Sequence, residues 1–281
     1  MLFWVAGITV VALVVILYGF RRSWIEPLPG VRVPMSRPVV KASDLGPESA
    51  YQLLMAAAAE PPGLKPSVEV DPVWRWGWSE ALGKLNTQPW PTELPPPDPP
   101  VDSPPEWEPM DTHGMFVDDD TPWTRAQFLD IQRVLGLYQP QFPLLDRALA
   151  APDPQMPTMT PDDMVSIECT MPSRQLSRAL ILSAHRQAAA GDVAGAYRDL
   201  LRSARLGNLV ARGGPLISAL ICGSFLGESC DGARHIALRY GGTSDVLRRA
   251  ARVYLASADA MEPMAETLRA EALFAREYVV D

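Results

Sequence analysis

Three histidines and three cysteines limit the acid–base, nucleophilic and metal chemistry open to this chain. His235 follows Asp231 and Glu228 by one and two helical turns. A helical Glu/His pair can hold a metal, but one pair supplies too few ligands, and a surface ion pair accounts for the spacing. His113 falls in an acidic loop and His185 on a helix flank, and both read as solvated side chains rather than general bases. Cys169, Cys222 and Cys230 are an odd count without C-x-x-C spacing, which argues against a zinc knuckle or a disulfide framework. On one helix Cys222 and Cys230 would lie about 12 Å apart, too far to bond. Asp118-Asp119-Asp120 lacks the alternating acids, turn glycine and distal acid of a calcium loop. No nucleophile elbow, paired-histidine helix, phosphate loop or dinucleotide fingerprint occurs. The expectation is therefore no catalytic residue, no cofactor and no metal ligand.

The elements that would position any site are clearest from Ser173 to Leu238. Pro172 and Ser173 supply a helix start, and Leu176, Leu180, Ala184 and Ala188 repeat every four residues along one face. Gly191 ends that helix and Asp192 caps the next. Val193, Ala196, Tyr197, Leu200, Leu201 and Ala204 form the second helix's buried stripe, leaving Arg198, Asp199, Arg202 and Arg205 for water. Gly213-Gly214-Pro215 opens a third helix, uncharged from 213 to 227. Its leucines and isoleucines point all round the axis, so it is expected at the centre of a core, with Gly223 and Gly227 in close contact with another helix.

Leu2 to Phe20 is a 19-residue run without a charge. As a helix it is roughly 28 Å long, about the thickness of a bilayer's hydrocarbon core. A cleaved signal would want a basic segment before the run and an A-x-A-like site after it. With neither present, an uncleaved single-pass anchor is expected. Arg21, Arg22, Arg32, Arg37 and Lys41 follow it, so the positive-inside rule puts the bulk of the protein on the cytoplasmic side, with an extracytoplasmic orientation as the alternative. The organisation is then an anchor at 1–22, a juxtamembrane linker at 23–43 and a helical domain at 44–281 with a proline-rich insertion at 61–120.

Of 29 prolines, 14 lie between Pro61 and Pro109, and they forbid long regular elements there apart from a short helix near Ser79 to Leu85. Trp74, Trp76, Trp78, Trp90 and Trp107 interrupt this stretch. Disordered linkers are poor in aromatics, so part of the segment should lie against the helical body, and these five tryptophans are the candidate partner-binding residues. On either side, Asp44 to Ala59 reads as a short helix starting at Asp44 or Pro47. Thr121-Pro122 should open a helix interrupted by Pro140 and Pro143, and a further helix from Pro143 to Ala150 should pack back on it. After Gly241-Gly242, Thr243 or Ser244 caps another helix, and a last one runs through Leu268 and Phe274 toward Val280.

The fold class is all-α, an α-solenoid-like or irregular bundle. With a net charge of -8 and arginines spread through helices, nucleic acid is not an expected partner. Ser173 to Gly207 resembles a tetratricopeptide-type hairpin, with Ala184 and Ala196 at the small positions. The order of anchor, short helix, proline-rich loop and hairpin, with G-D-V-A-G-A-Y-R-D-L-L-R-S-A-R-L-G followed by G-G-P-L-I, resembles uncharacterised membrane-anchored helical proteins of planctomycete-type bacteria. That resemblance implies no activity and no site residue. The expected function is a membrane-anchored scaffold or module that binds a protein or peptide. A membrane-associated hydrolase built from scattered carboxylates and histidines is the alternative.

Overall fold

Turn chemistry decides where the helices stop. Gly191 takes a φ of 89° and Gly241 one of 69°, left-handed conformations that glycine adopts without a side-chain clash. Asp192 accepts a hydrogen bond from Gly195 N at 2.8 Å, which caps the helix that follows. The computed structural model describes residues 40–59, 61, 81–97, 120–151, 154, 156–157, 165–212, 216–259 and 267, and the regular elements among them are all helical. In chain order α1 is Ala50–Ala58, α2 Arg125–Tyr138, α3 Phe142–Ala150, α4 Val165–Ala189, α5 Val193–Ala211, α6 Leu216–Tyr240 and α7 Ser244–Asp259. A further helical stretch covers 81–87, within two residues of the short helix the sequence suggests.

α5 is the hub. Its pairings with α4 and α6 are the two most extensive in the fold, and it also meets α3 and α7. Ala184 and Ala196 are fully buried in one cluster with Ile181, Leu200, Ile236 and Ala250, where the helices flanking α5 close on it. A second cluster joins α1, α2 and α3 to the other face of α4 through Leu54, Leu135, Leu145, Leu176 and Leu180. None of the helices among the described residues is long and apolar enough to cross a membrane, and the Leu2 to Phe20 run lies outside those residues. So do His113, the stretch from Leu268 to Val280, and four of the five candidate tryptophans.

Several boundaries differ from the sequence reading, each for a local reason. α4 begins at Val165 and holds Pro172 in its interior, because a proline removes one backbone bond without forbidding helix on both sides. α2 is capped by Thr124, not Thr121: Thr124 Oγ1 accepts from Gln127 N at 3.1 Å while the Gln127 side chain accepts from Thr124 N, a capping box. α1 starts after Ser49, whose hydroxyl accepts from Gln52 N, and only a 3-10 turn forms at Ala42–Asp44. α3 packs chiefly on α1 and α5 instead of folding back on α2.

The largest correction concerns α6. Its uncharged stretch is buried on one side only, through Ser218, Cys222 and Phe225, whereas Leu220 is 58% exposed. A side chain added at Gly223 or Gly227 would meet nothing within 4 Å. The close helix approach belongs to Gly207 on α5, where an added Cβ would sit 3.1 Å from Phe225 Cβ and 3.2 Å from the Cys222 carbonyl oxygen. A backbone oxygen cannot swing away as a side-chain tip can. Gly207→Leu should therefore overpack the α5–α6 interface by roughly 1 to 3 kcal/mol, and Gly223→Leu should leave the thermal midpoint close to that of the parent chain. Equal midpoints for the two variants in thermal unfolding would contradict this assignment of the contact.

Candidate functional site

Because α5 is enclosed by its neighbours, its polar side chains must find partners inside the protein. Asp199, expected in water, is 2% exposed. Its carboxylate accepts from Ser183 Oγ at 2.8 Å, from Gln187 Nε2 and from Arg202 Nη1 at 2.6 Å. Arg202 in turn donates Nε and Nη2 to Asp146 of α3 at 2.7 and 2.5 Å, and its guanidinium lies 6.0 Å from the Phe142 ring centroid. Four residues on, Ser203 joins a chain of three buried hydroxyls, 2.7 Å from Ser177 Oγ of α4 and 2.8 Å from Ser229 Oγ of α6. Asn208 then donates to the Ser257 carbonyl at 2.5 Å and accepts the Cys222 thiol at 3.2 Å. Burial pushes the Cys222 thiol up to about 11, the wrong direction for a nucleophile.

A second group of polar side chains lines the seam between α4 and α6. Arg174 and Arg178 come from α4, Glu228 and Ser224 from α6. Burial raises the Glu228 carboxyl above the usual carboxylate range, although Arg178, Arg174 and a hydrogen bond with Ser224 pull it down. Further along the seam His185 is 1% exposed, where the sequence placed it on a wet flank. Its ring packs on Gly232, with Nε2 3.7 Å from the position a Cβ would take there. Its Nδ1 is buried without a hydrogen-bond partner. Burial, then the neighbouring His235 and Arg239, hold its pKa down to about 3, so the ring is neutral. His235, also buried, has Nε2 3.1 Å from Arg234 Nη2; Glu228 faces the α4 arginines, and Asp231 pairs with Arg234.

The segment 81–97 is fastened across the end of this seam. Arg239 donates to the carbonyls of Leu85, Asn86 and Gln88, the last two at 2.7 Å, and so caps the helical stretch 81–87. Lys84 Nζ donates to Thr121 O at 2.9 Å and to the Thr121 hydroxyl. Trp90 N donates to the Tyr240 hydroxyl at 3.0 Å. Trp90 itself is 3% exposed, with its ring 5.7 Å from Trp123 and 5.8 Å from Phe128. It is an anchor in the core, where little of its surface remains for a partner. Trp74, Trp76, Trp78 and Trp107 lie outside the described residues.

Sequence reasoning did not bring Arg174, Arg178 and Glu228 together. The i,i+4 spacing of the two arginines was visible, but the register of α6 against α4, which supplies the acid, is set by the hydroxyl chain. Among the described residues no three His, Cys, Asp or Glu side chains are grouped to hold a metal ion. Comparison with known protein families, with curated proteins and with solved structures gave no match.

Two outcomes test this geometry. The unfolded chain binds a proton at His185 as pH falls below about 6.5, while the fold keeps the ring neutral down to about 3. Stability is therefore lost across that window, by about 2 kcal/mol from this group at pH 5. Urea unfolding at pH 7 and pH 5 should show a smaller acid loss in His185→Leu than in the parent chain, whatever the variant's stability at pH 7. Separately, Arg239→Met removes a charged donor from three carbonyls and should cost about 1.5 to 3 kcal/mol. Amide exchange should then accelerate at 81–90 ahead of α4 and α5, and uniform acceleration would contradict a local clamp.

Proposed function

We propose that the helical domain is a protein- or peptide-binding module held at a membrane by residues 2–20, with its exposed α6 face as the docking surface. The observation that carries this reading is the open, uncharged side of α6: Leu220 is 58% exposed and, among the described residues, no side chain closes over Gly223 or Gly227. Glycines without a covering neighbour let a partner backbone approach closely. An exposed leucine beside them supplies apolar contact area. The buried polar groups of α5 support the same reading, because Asp199, Ser203 and Asn208 spend their hydrogen bonds on holding helices together. The domain sits on the cytoplasmic side in this reading, given the basic residues after the anchor, and the hairpin of α4 and α5 acts in the manner of a tetratricopeptide-like unit.

The test uses the full chain in its native membranes, with photocrosslinking from position 227 on the exposed face. Wild type and Leu220→Asp should both remain in the membrane fraction after a carbonate wash, since burial of an apolar span in lipid is not an electrostatic attachment. A discrete crosslinked species should form with wild type and fall at least tenfold in Leu220→Asp, with no change in thermal midpoint. Carbonate release of the intact chain would remove the anchor. A crosslink insensitive to Leu220→Asp would remove the docking face.

A further inference from the structure

Two arginines meet one carboxylate in the seam between α4 and α6. Arg174 and Arg178 are four residues apart and so stack on one helical face. The Ser177, Ser203 and Ser229 hydroxyls fix the register that sets Glu228 in their electrostatic reach. Arg178 is 8% exposed. A guanidinium does not lose its proton in a protein, so among the described residues the seam holds two positive charges against at most one negative. Burial weakens even that one, since it drives Glu228 toward its neutral form.

The hydrogen-bond inventory has the same imbalance. Nε of Arg174 and Nε of Arg178 are both buried without an acceptor, and Oε2 of Glu228 is buried without a donor. Buried guanidinium N–H groups ordinarily have partners, because leaving a charged donor unsatisfied is among the costliest defects in a core. Two such donors one helical turn apart, in a seam whose described residues are short of negative charge, are suited to a group with several oxygens around one negative centre.

We infer that this seam binds a small oxyanion, a phosphate-type or carboxylate group, which accepts from the guanidinium groups of Arg174 and Arg178, with Glu228 bordering the site. An ionised Glu228 repels the anion and competes for the arginines, so it limits affinity. The site is separate from the α6 docking face and stands whether or not that face binds a partner. The same oxygen chemistry could be carried by a free anion or by a phospholipid headgroup.

Thermal unfolding of the full chain in neutral detergent at constant ionic strength distinguishes these sources, with inorganic phosphate, acetate, short-chain phosphatidylglycerol and chloride as probes. At least one oxyanion should raise the midpoint saturably while chloride does not. A response to phosphate or acetate identifies a free anion, and a response to phosphatidylglycerol alone identifies a headgroup. Arg174→Gln, at the less buried arginine, should weaken the apparent Kd at least tenfold, and Glu228→Gln should tighten it several-fold. If Arg174→Gln does not fold, Arg174→Lys keeps the charge, loses the fork and should also bind more weakly. The site is refuted if no oxyanion saturates, if chloride serves equally well, or if the arginine variant that folds binds like wild type.

Discussion

A helix enclosed by its neighbours must have its polar side chains answered from those neighbours, and the packing of this protein follows from how α5 meets that demand. Its three buried polar residues point to different elements: Asp199 to α4 and, through Arg202, to α3; Ser203 to α4 and α6; Asn208 to α6 and α7. Apolar contacts tolerate sliding by a fraction of a turn, whereas a hydrogen bond near 2.8 Å does not. The polar residues therefore select one register from the several that the leucine and alanine stripes would allow. Removing Arg202 leaves the buried Asp199 carboxylate without its cationic partner and cuts the link to Asp146 on α3.

That register also makes the α4–α6 seam. Once Ser177 and Ser229 are joined through Ser203, Arg178 and Glu228 become neighbours across the interface, and His185 comes to rest on Gly232 two turns further along. One end of the seam is then closed by a segment distant in sequence. Arg239, near the end of α6, holds three carbonyls at the end of the helical stretch 81–87, and Tyr240 beside it holds the Trp90 backbone. The segment 81–97 is thus attached to the body by one cationic cap and one buried indole. Prolines supply no backbone donors for such an attachment, so it rests on the Arg239 guanidinium of α6 and on the few donors the segment does have, Trp90 N and Lys84 Nζ among them.

Helix identity and the glycine stops were legible in the sequence because they are local. A four-residue apolar repeat and a left-handed glycine need no knowledge of what packs where, and Gly191, Asp192 and Gly241 behave as their residue types require. Burial of the polar residues was not legible. Amphipathic reasoning assigns a charged residue to water by default, yet Asp199 sits on the face that α4 covers, where Ser183 and Gln187 opposite, together with Arg202, make that tolerable. His185 was misplaced by the same default. Its flank of α4 meets α6, and a histidine can enter such an interface by remaining neutral.

The glycines of α6 show why a small-residue motif alone could not locate the helix contact. Gly223 and Gly227 have the spacing of a close-packing pair, but spacing reports only that two positions share a face, not that the face is covered. Whether it is covered depends on where the bulky residues lie relative to the neighbouring helix. Here Cys222, Phe225 and Ser229 form the buried line, so α5 must approach on that side, and the space for the approach is made by Gly207 on α5 itself. The glycine that permits the contact lies across from the largest side chain, Phe225, a pairing that is recoverable only when both helices are read together. With that side committed to α5, Gly223 and Gly227 fall on the opposite side. There the absence of side chains leaves the α6 backbone open to approach, a property that packing inside the domain does not require.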